Sequence, residues 1–355
     1  MKNKIIKNFF KNKKVIITGH TGFKGSWLTF WLNQLGAKVC GISKDIPTNP
    51  SLFKSLKLKN TISDKRLDLR NLNKIKKIIK NFQPDFVFHL AAQSLVRRSY
   101  NDPVNTFTTN SIGTLNILES LKVLKKKCNV VLITSDKSYK NLEILRGYKE
   151  TDELGGYDQY SASKGCAEFI IKSYLKSFYY KKDNLKIGVA RAGNVIGGGD
   201  WSENRVIPDT FKAWSKNIPV SLRSPNSTRP WQHVLEVLSG YLNFAVGLKN
   251  KPNLNGEAFN FGPKNFQNKK VIDVIKEIKK YLPTLKIKIN KKRTFSESKL
   301  LKLNSSKALK KLNWTNKLTF NETIKMTSQW YVMFYGKKNM VDFTSEQIKE
   351  FEQKL

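Results

Sequence analysis

Tyr160-Ser-Ala-Ser-Lys164 sets a phenol and an ammonium four residues apart, a spacing that puts both on one face of a helix. A cation beside a phenol favours the phenolate and brings its proton within reach of general-base chemistry. Pairs with this spacing are common on helix surfaces, so the weight falls on a third group. Ser135 follows the apolar run Val130-Val-Leu-Ile-Thr134, and the carboxyl ends of strands are where open parallel sheets bind ligands. A hydroxyl there can hold a substrate oxygen while Tyr160 takes its proton and Lys164 steadies the phenolate. Such a triad suits an alcohol that loses its proton as its carbon gives up hydride. Asp136 and Lys137 come next in the string Thr134-Ser-Asp-Lys137.

Hydride needs an acceptor, and the chain offers a place for one. The apolar run Val15-Ile-Ile-Thr18 leads into Gly19-His-Thr21-Gly22-Phe23-Lys24-Gly25 and then a helical pattern. Glycines at this spacing let the backbone turn tightly and approach a pyrophosphate, which then faces free N–H groups and the positive end of a helix. Strand, turn and helix in that order point to a dinucleotide, with NAD the expected cofactor. The carboxylate that usually binds ribose at the end of the second strand is missing. Ser43-Lys44 stands there with Asp45 beyond, and this pair lacks the repulsion that excludes a 2′-phosphate, which leaves NADP open. Asp68, followed by Leu69, is placed to cap the adenine.

These groups need a scaffold that brings distant residues together. Apolar strands are expected at 15–18, 38–42, 85–90, 130–134 and 185–190. Helices are expected at 26–35, 104–124 and 157–180. Continuous apolar strands alternating with helices indicate an α/β, doubly wound parallel sheet covered on both faces. The expected division is a dinucleotide-binding domain over 1–192 and a smaller lobe over 193–355, some of whose segments return to the sheet. A further helix is expected at 234–248. At 1–14, Phe9 and Phe10 are expected to pack on the first strand. Nothing there has the apolar length of a secretion signal, and no run in the chain is long enough to span a membrane.

The 355 residues carry 65 Lys and Arg against 27 Asp and Glu, a net charge of +38. That balance is the footprint of a nucleic-acid binder, yet only ten of the cations are arginine and the 55 lysines are spread along the chain. A specific nucleic-acid partner is therefore not expected, and a basic binding module is the remote alternative. Cys40, Cys128 and Cys166 lie far apart with no C-x-x-C pair, which argues for a reducing cytoplasm and against a metal site.

With these motifs in place, the chain from about residue 13 onward resembles the extended short-chain dehydrogenase/reductases. The resemblance extends through His89-Leu90-Ala91-Ala92-Gln93, which would line the cofactor, and Asn110. Within that family, the glycine turn at 19–25 and three further strings are similar to the nucleotide-sugar dehydratases, specifically the branch acting on CDP-sugars. Those three are Thr134-Ser-Asp-Lys137, Arg191-Ala-Gly-Asn194-Val-Ile-Gly-Gly-Gly-Asp-Trp201 and Thr228-Arg229-Pro-Trp231-Gln-His233-Val234. The resemblance implies that CDP-glucose loses water between carbons 5 and 6 after transient oxidation at carbon 4. Asp136 would be the acid and Lys137 the base, where the dTDP-sugar branch carries Glu. Gln93 and Ser135 would meet the sugar, and Asn194, Arg205 and Arg229 the diphosphate, with Arg97 and Arg98 as further candidates. Trp231 and His233 would pack the lobe. Relatives pair the helices corresponding to 104–124 and 157–180, so a homodimer or a tetramer built from it is expected. A dehydratase or epimerase acting on a dTDP-, GDP- or UDP-sugar is the alternative within the family.

Overall fold

The computed structural model describes residues 6, 8–180, 182–263, 268–290 and 302–355. Its central sheet is built from β1 (Lys14–Thr18), β2 (Lys38–Ser43), β3 (Ser63–Arg66), β4 (Phe86–His89), β5 (Cys128–Ile133) and β6 (Leu185–Ala192). Short strands follow: β7 (Val195–Ile196), β8 (Val220–Leu222), β9 (Thr228–Pro230) and β10 (Gln232–His233). The last three are β11 (Ala258–Phe261), β12 (Asn268–Lys270) and β13 (Ile287–Ile289). The large sheet has seven strands in the order β11-β6-β5-β4-β1-β2-β3, all parallel. The chain winds outward from β1 to β3, then returns to β4 and winds the other way. The carboxyl ends of β1 and β4 therefore flank the switch-point crevice in which such sheets bind ligands.

The helices that matter for the site are α1 (Phe23–Gln34), α2 (Leu72–Phe82), α3 (Pro103–Phe107), α4 (Gly113–Leu121), α5 (Gln159–Tyr174), α6 (Val206–Ser215) and α7 (Val234–Asn250). Alternate residues of each strand feed two cores. Val15, Ile17, Phe88 and Val131 face α1 and α7, whereas Ile16, Val87 and Val130 face α2, α4 and α5. Both faces are dry, so the strands are apolar throughout rather than alternating. The sheet draws on residues beyond 192 twice, through β11 at its edge and through α7, which lies against β5 and β6.

Three helical expectations differ from the structure. The first helix starts at Phe23 rather than 26, because Gly22 takes an extended conformation at its N-cap. The helix expected at 104–124 is interrupted by a π-helical turn, Thr108–Ile112, between α3 and α4, and it stops at Leu121. The helix expected at 157–180 begins only at Gln159. There Asp158 caps it by accepting from the Ser161 N–H at 2.9 Å. Phe10 is fully buried, with its ring centroid 5.1 Å from that of Phe86; Ile5, also in the basic N-terminal stretch, lies outside the described residues.

Candidate active site

The glycine turn fits a pyrophosphate on geometric grounds. Gly19 has φ +76°, and a Cβ there would lie 2.7 Å from the Ala91 nitrogen, so the turn and the β4 loop touch backbone to backbone. A Cβ on Gly25 would sit 2.0 Å from the Gly19 carbonyl oxygen. At Gly22 a Cβ would meet only that same oxygen, at 3.4 Å, so the glycine leaves space outside the protein rather than within it. No side chain caps α1. Its N-terminal N–H groups thus open onto a cradle that one methyl group would begin to fill.

The ends of β1, β2 and β4 are tied together by hydrogen bonds. Thr18 Oγ1 lies 2.7 Å from His89 Nδ1 and accepts from the Ala91 N–H, while His89 Nε2 lies 3.1 Å from Thr114 Oγ1. Burial, with the Lys164 charge second, pushes His89 down to about 3, so this imidazole is a neutral strut. His20 is held between Ser43 Oγ and Asp64 Oδ1, 2.9 Å on either side, over the space that Gly41 leaves by having no Cβ. Thr21 Oγ1 donates to the Asp45 carbonyl at 2.6 Å.

Several residues expected at the cofactor are committed elsewhere. The Ser43 hydroxyl serves His20, whose buried ring needs a partner on each nitrogen. Lys44 is exposed and meets Asp68 at 3.6 Å, and the Asp68 carboxylate is forked onto Arg70, which holds it down at about 2. The Leu69 side chain enters the core, and its carbonyl accepts from Asn116. Leu90, Ala91 and Ala92 remain half-exposed along the crevice. The Gln93 amide is spent inside the protein: Oε1 accepts from the Leu95 N–H at 2.7 Å, and Nε2 donates to Thr106 Oγ1 at 3.0 Å and the Leu95 carbonyl. It shapes its loop and is not presented to a sugar. Asn110, on the π-helical turn, binds the Gln93 backbone in both directions and reaches Ser163 Oγ at 2.9 Å. That turn thereby stitches the cofactor loop to α5 between Tyr160 and Lys164.

Tyr160, Lys164, Ser135 and Asp136 are all buried, none more than 8 % exposed. Ser135 Oγ donates to Asp136 Oδ1 at 2.9 Å and is also the hydrogen-bonding neighbour of the Tyr160 phenol. Burial pushes Tyr160 up to about 12, against the Ser135 hydrogen bond, and pushes Lys164 down to about 7, with Lys24 helping. Burial also raises Asp136, outweighing Lys137 and the Ser135 hydrogen bond. A Cβ on Gly193 would lie 2.8 Å from Asp136 Oδ2, so this glycine is what admits the carboxyl. Lys137 is half-buried beside it. Lys24 turns from the glycine turn towards the same centre, where burial first and Arg205 next bring it down to about 8. Sequence spacing marks Lys24 only as a member of the glycine turn, not as a charge facing Asp136 and Lys164.

Beyond this group lie arginines from the lobe and from the segment after β4. Arg205, half-buried at the start of α6, pairs with Asp200 at 3.1 Å and reaches the Ser94 carbonyl. Arg97 and Arg223 both donate to Asn204 Oδ1, at 3.0 and 3.4 Å. Arg223 was not expected, since nothing local to the end of β8 distinguishes it. Arg229 sits on β9, donating to the Thr228 carbonyl, and its neighbour Pro230 reaches Gly193 beside Asp136. Asn194 is exposed between β6 and β7, and Arg98 is exposed as well. Trp231 and His233 are buried, the indole donating to the Lys269 carbonyl and the imidazole packed edge-on against Trp27.

A parallel seven-stranded sheet with a glycine turn at its switch point, and a Ser-Tyr-Lys group beside β5, defines an extended short-chain dehydrogenase/reductase. Residues 16–327 match the family described as GDP-mannose 4,6 dehydratase, and the chain belongs to that family. It is 40% identical over 352 residues to the CDP-glucose 4,6-dehydratase of Salmonella typhimurium, covering 98% of each chain. An epimerase from Methanothermobacter thermautotrophicus shares the fold, with a TM-score of 0.81, 22% identity and coverage of 94% of this chain and 96% of that one. So does the dTDP-glucose 4,6-dehydratase of Bacillus anthracis solved in complex with NAD, with a TM-score of 0.76, 21% identity and coverage of 93% and 99%. Among the described residues, no helix is long and apolar enough to cross a membrane.

Proposed function

We propose that the chain converts CDP-glucose to CDP-4-dehydro-6-deoxyglucose and water, using NAD held across the β1–β4 crevice. The observation that carries this reading is the buried carboxyl of Asp136, one residue from Lys137 and hydrogen-bonded to Ser135. An epimerase needs the Ser135, Tyr160 and Lys164 group alone, whereas eliminating water needs an acid and a base beside it. The relative at 40% identity supports CDP-glucose over other nucleotide sugars.

Bound NAD would supply the acceptor that takes hydride from carbon 4 and returns it at carbon 6. Gly19, Gly22 and the N-terminus of α1 would hold its pyrophosphate. Ser135 orients the carbon-4 hydroxyl, and Tyr160 removes its proton while Lys164 stabilises the phenolate. The resulting ketone acidifies the carbon-5 proton, which Lys137 takes. Asp136 gives its proton to the carbon-6 hydroxyl, which leaves as water. Lys137 then returns its proton to carbon 5, and proton exchange with solvent restores Tyr160, which gained one, and Asp136, which lost one. Arg205 and Arg229, with Asn194, hold the diphosphate through charge-assisted hydrogen bonds. In this reading residues 1–192 chiefly bind cofactor, and those beyond chiefly bind substrate.

The enzyme works as a homodimer or a tetramer built from it. Val104, Ile112 and Phe169, on the α3–α5 surface, are 73%, 43% and 56% exposed, and a second copy would cover them. Cys40, Cys128 and Cys166 are free thiols, which supports a cytoplasmic setting.

Incubation of the purified chain with NAD and CDP-, dTDP-, GDP- or UDP-glucose, followed by mass spectrometry, tests the reading. CDP-glucose is expected to lose one water and the others to react poorly. No product from any of them would sink it, and preference for another base would move the chain to a different substrate.

A further inference from the structure

Glu168 lies on α5, one helical turn beyond Lys164, and is 1 % exposed. Its Oε1 accepts from Thr134 Oγ1 at 2.6 Å and from Arg191 Nε at 2.7 Å, and its Oε2 accepts from Arg191 Nη2 at 2.7 Å. Ser138 Oγ, which donates to the Ser135 carbonyl, lies 3.4 Å from the same Oε1. Thr134 and Ser138 are the residues immediately before and after Ser135-Asp136-Lys137. One carboxylate oxygen therefore meets both flanks of the turn that carries three of the reacting groups. It projects from the helix that carries the other two.

The fork does not stand alone. Arg191, also 1 % exposed, lies one residue before the end of β6 and donates from Nη1 to Tyr139 Oη at 2.6 Å, and that hydroxyl donates to Asn260 Oδ1 on β11 at 2.8 Å. The turn is thus referenced to α5, β6 and β11 together. Stability alone is a poor reason for such an arrangement. Desolvating two charges costs several kcal/mol each, and well-packed apolar residues often replace a buried ion pair at no loss. What the pair supplies is a fixed geometry, because its two parallel N–H to oxygen bonds allow one orientation.

We propose that Glu168, locked by Arg191, is a positioning residue that sets the register of the Ser135–Lys137 turn against the Tyr160 and Lys164 face of α5. It touches neither substrate nor cofactor. It makes one bound sugar meet Tyr160 at carbon 4, Lys137 at carbon 5 and Asp136 at carbon 6 without rearrangement. The proposal rests on the dehydratase reading above, and it predicts a specific fault. Loosening the clamp leaves oxidation at carbon 4 running and slows elimination, because Asp136 and Lys137 lie farther along the turn than Ser135.

The test compares wild type, Glu168→Gln and Thr134→Val, each with NAD and CDP-glucose. Thr134→Val keeps the ion pair and the side-chain shape and removes one donor, so it serves if Glu168→Gln does not fold. The expected result is a KM within threefold of wild type and a kcat lower by about 10- to 100-fold, the scale of a 1 Å misplacement. Reduced nicotinamide should build up on the enzyme, seen by its near-ultraviolet absorbance. A wild-type kcat in a folded variant, a rise in KM with kcat unchanged, or a slower kcat with no reduced cofactor accumulating would each overturn the proposal. Crystal structures of wild type and Thr134→Val need no substrate and separate this inference from the functional reading. A turn left in place relative to Tyr160 refutes the clamp, whereas an inactive wild type refutes only the dehydratase assignment.

Discussion

The two walls of the crevice are built in opposite ways. On the cofactor wall the polar side chains are buried and already satisfied: Thr18, His20, Ser43, His89, Gln93 and Asn110 bond to one another or to nearby backbone. On the wall proposed for the substrate, half-exposed arginines reach loop atoms: Arg97 and Arg223 share Asn204 Oδ1, and Arg205 spans Asp200 and Ser94. A satisfied wall is set before its ligand arrives, as suits a cofactor that leaves each turnover in the form in which it began. A wall of cations on loops gains its best partner only when a diphosphate arrives. The reacting groups lie between the two, anchored to the first.

The largest break in that contrast comes from Lys164. Replacing it with Met removes the ammonium one helical turn from Tyr160, and kcat should fall by about 10²- to 10⁴-fold, the usual contribution of the general base it assists. Stability should move the other way. Burial lowers Lys164 from 10.5 to about 7, so below pH 7 its charge is buried at full cost. Between those two values the folded chain binds fewer protons than the unfolded chain, and stability therefore rises with pH across that window. The Met variant is spared this cost. Its Tm at pH 7 should exceed the wild type by on the order of 3 °C, with a flatter pH dependence up to pH 10. A lower Tm would show that the ammonium is satisfied within the cofactor-free protein and would blur the distinction between the walls.

How much of this was legible in the sequence follows the same division. Strand cores, the glycine turn and the Tyr160–Lys164 spacing depend on local periodicity, and they appear where the pattern puts them. Side-chain direction in the loops does not follow from spacing. Gln93 and Leu69 occupy positions along the cofactor edge, yet one amide is used up by Leu95 and Thr106 and the other side chain joins the core. The π-helical turn at Asn110 is likewise invisible to a 3.6-residue period, and the hydrogen bond that Asn110 accepts there comes from a loop 17 residues away. Glu168 had a signal, one turn past Lys164, but its meaning needed Arg191 from another strand. Arg223 is least legible, because it meets Arg97 only through Asn204, from far away in the chain.

A smaller effect tests the substrate wall by itself. Arg205→Ala removes a charge-assisted contact expected only in the complex, so KM for the nucleotide sugar should rise by about 10- to 100-fold. The cofactor's Kd should stay within threefold, because Arg205 makes none of the hydrogen bonds that join Thr18, His20, Ser43, His89 and Asn110. Steady-state kinetics with a parallel NAD titration separates the two, and a shift in NAD affinity larger than the shift in KM would mean the walls are coupled.

The smallest effect belongs to the net charge of +38. Few of those cations face the crevice; Lys74, Lys76, Lys77 and Lys80 on α2, for instance, lie on its outward, exposed side. Charges so dispersed cannot specify a ligand, but their summed field draws anions to the surface, and added salt screens it over a Debye length of about 10 Å at 0.1 M. At limiting substrate, kcat/KM should therefore fall several-fold between low salt and 0.5 M, roughly the range in which steering is lost, while kcat holds. Arg205→Ala should show the same fractional salt dependence from a lower starting value, because steering comes from the whole surface and binding from the wall. If the variant lost its salt dependence along with its affinity, the arginines alone would be the steering charges, and the remaining lysines would have no electrostatic part in catalysis.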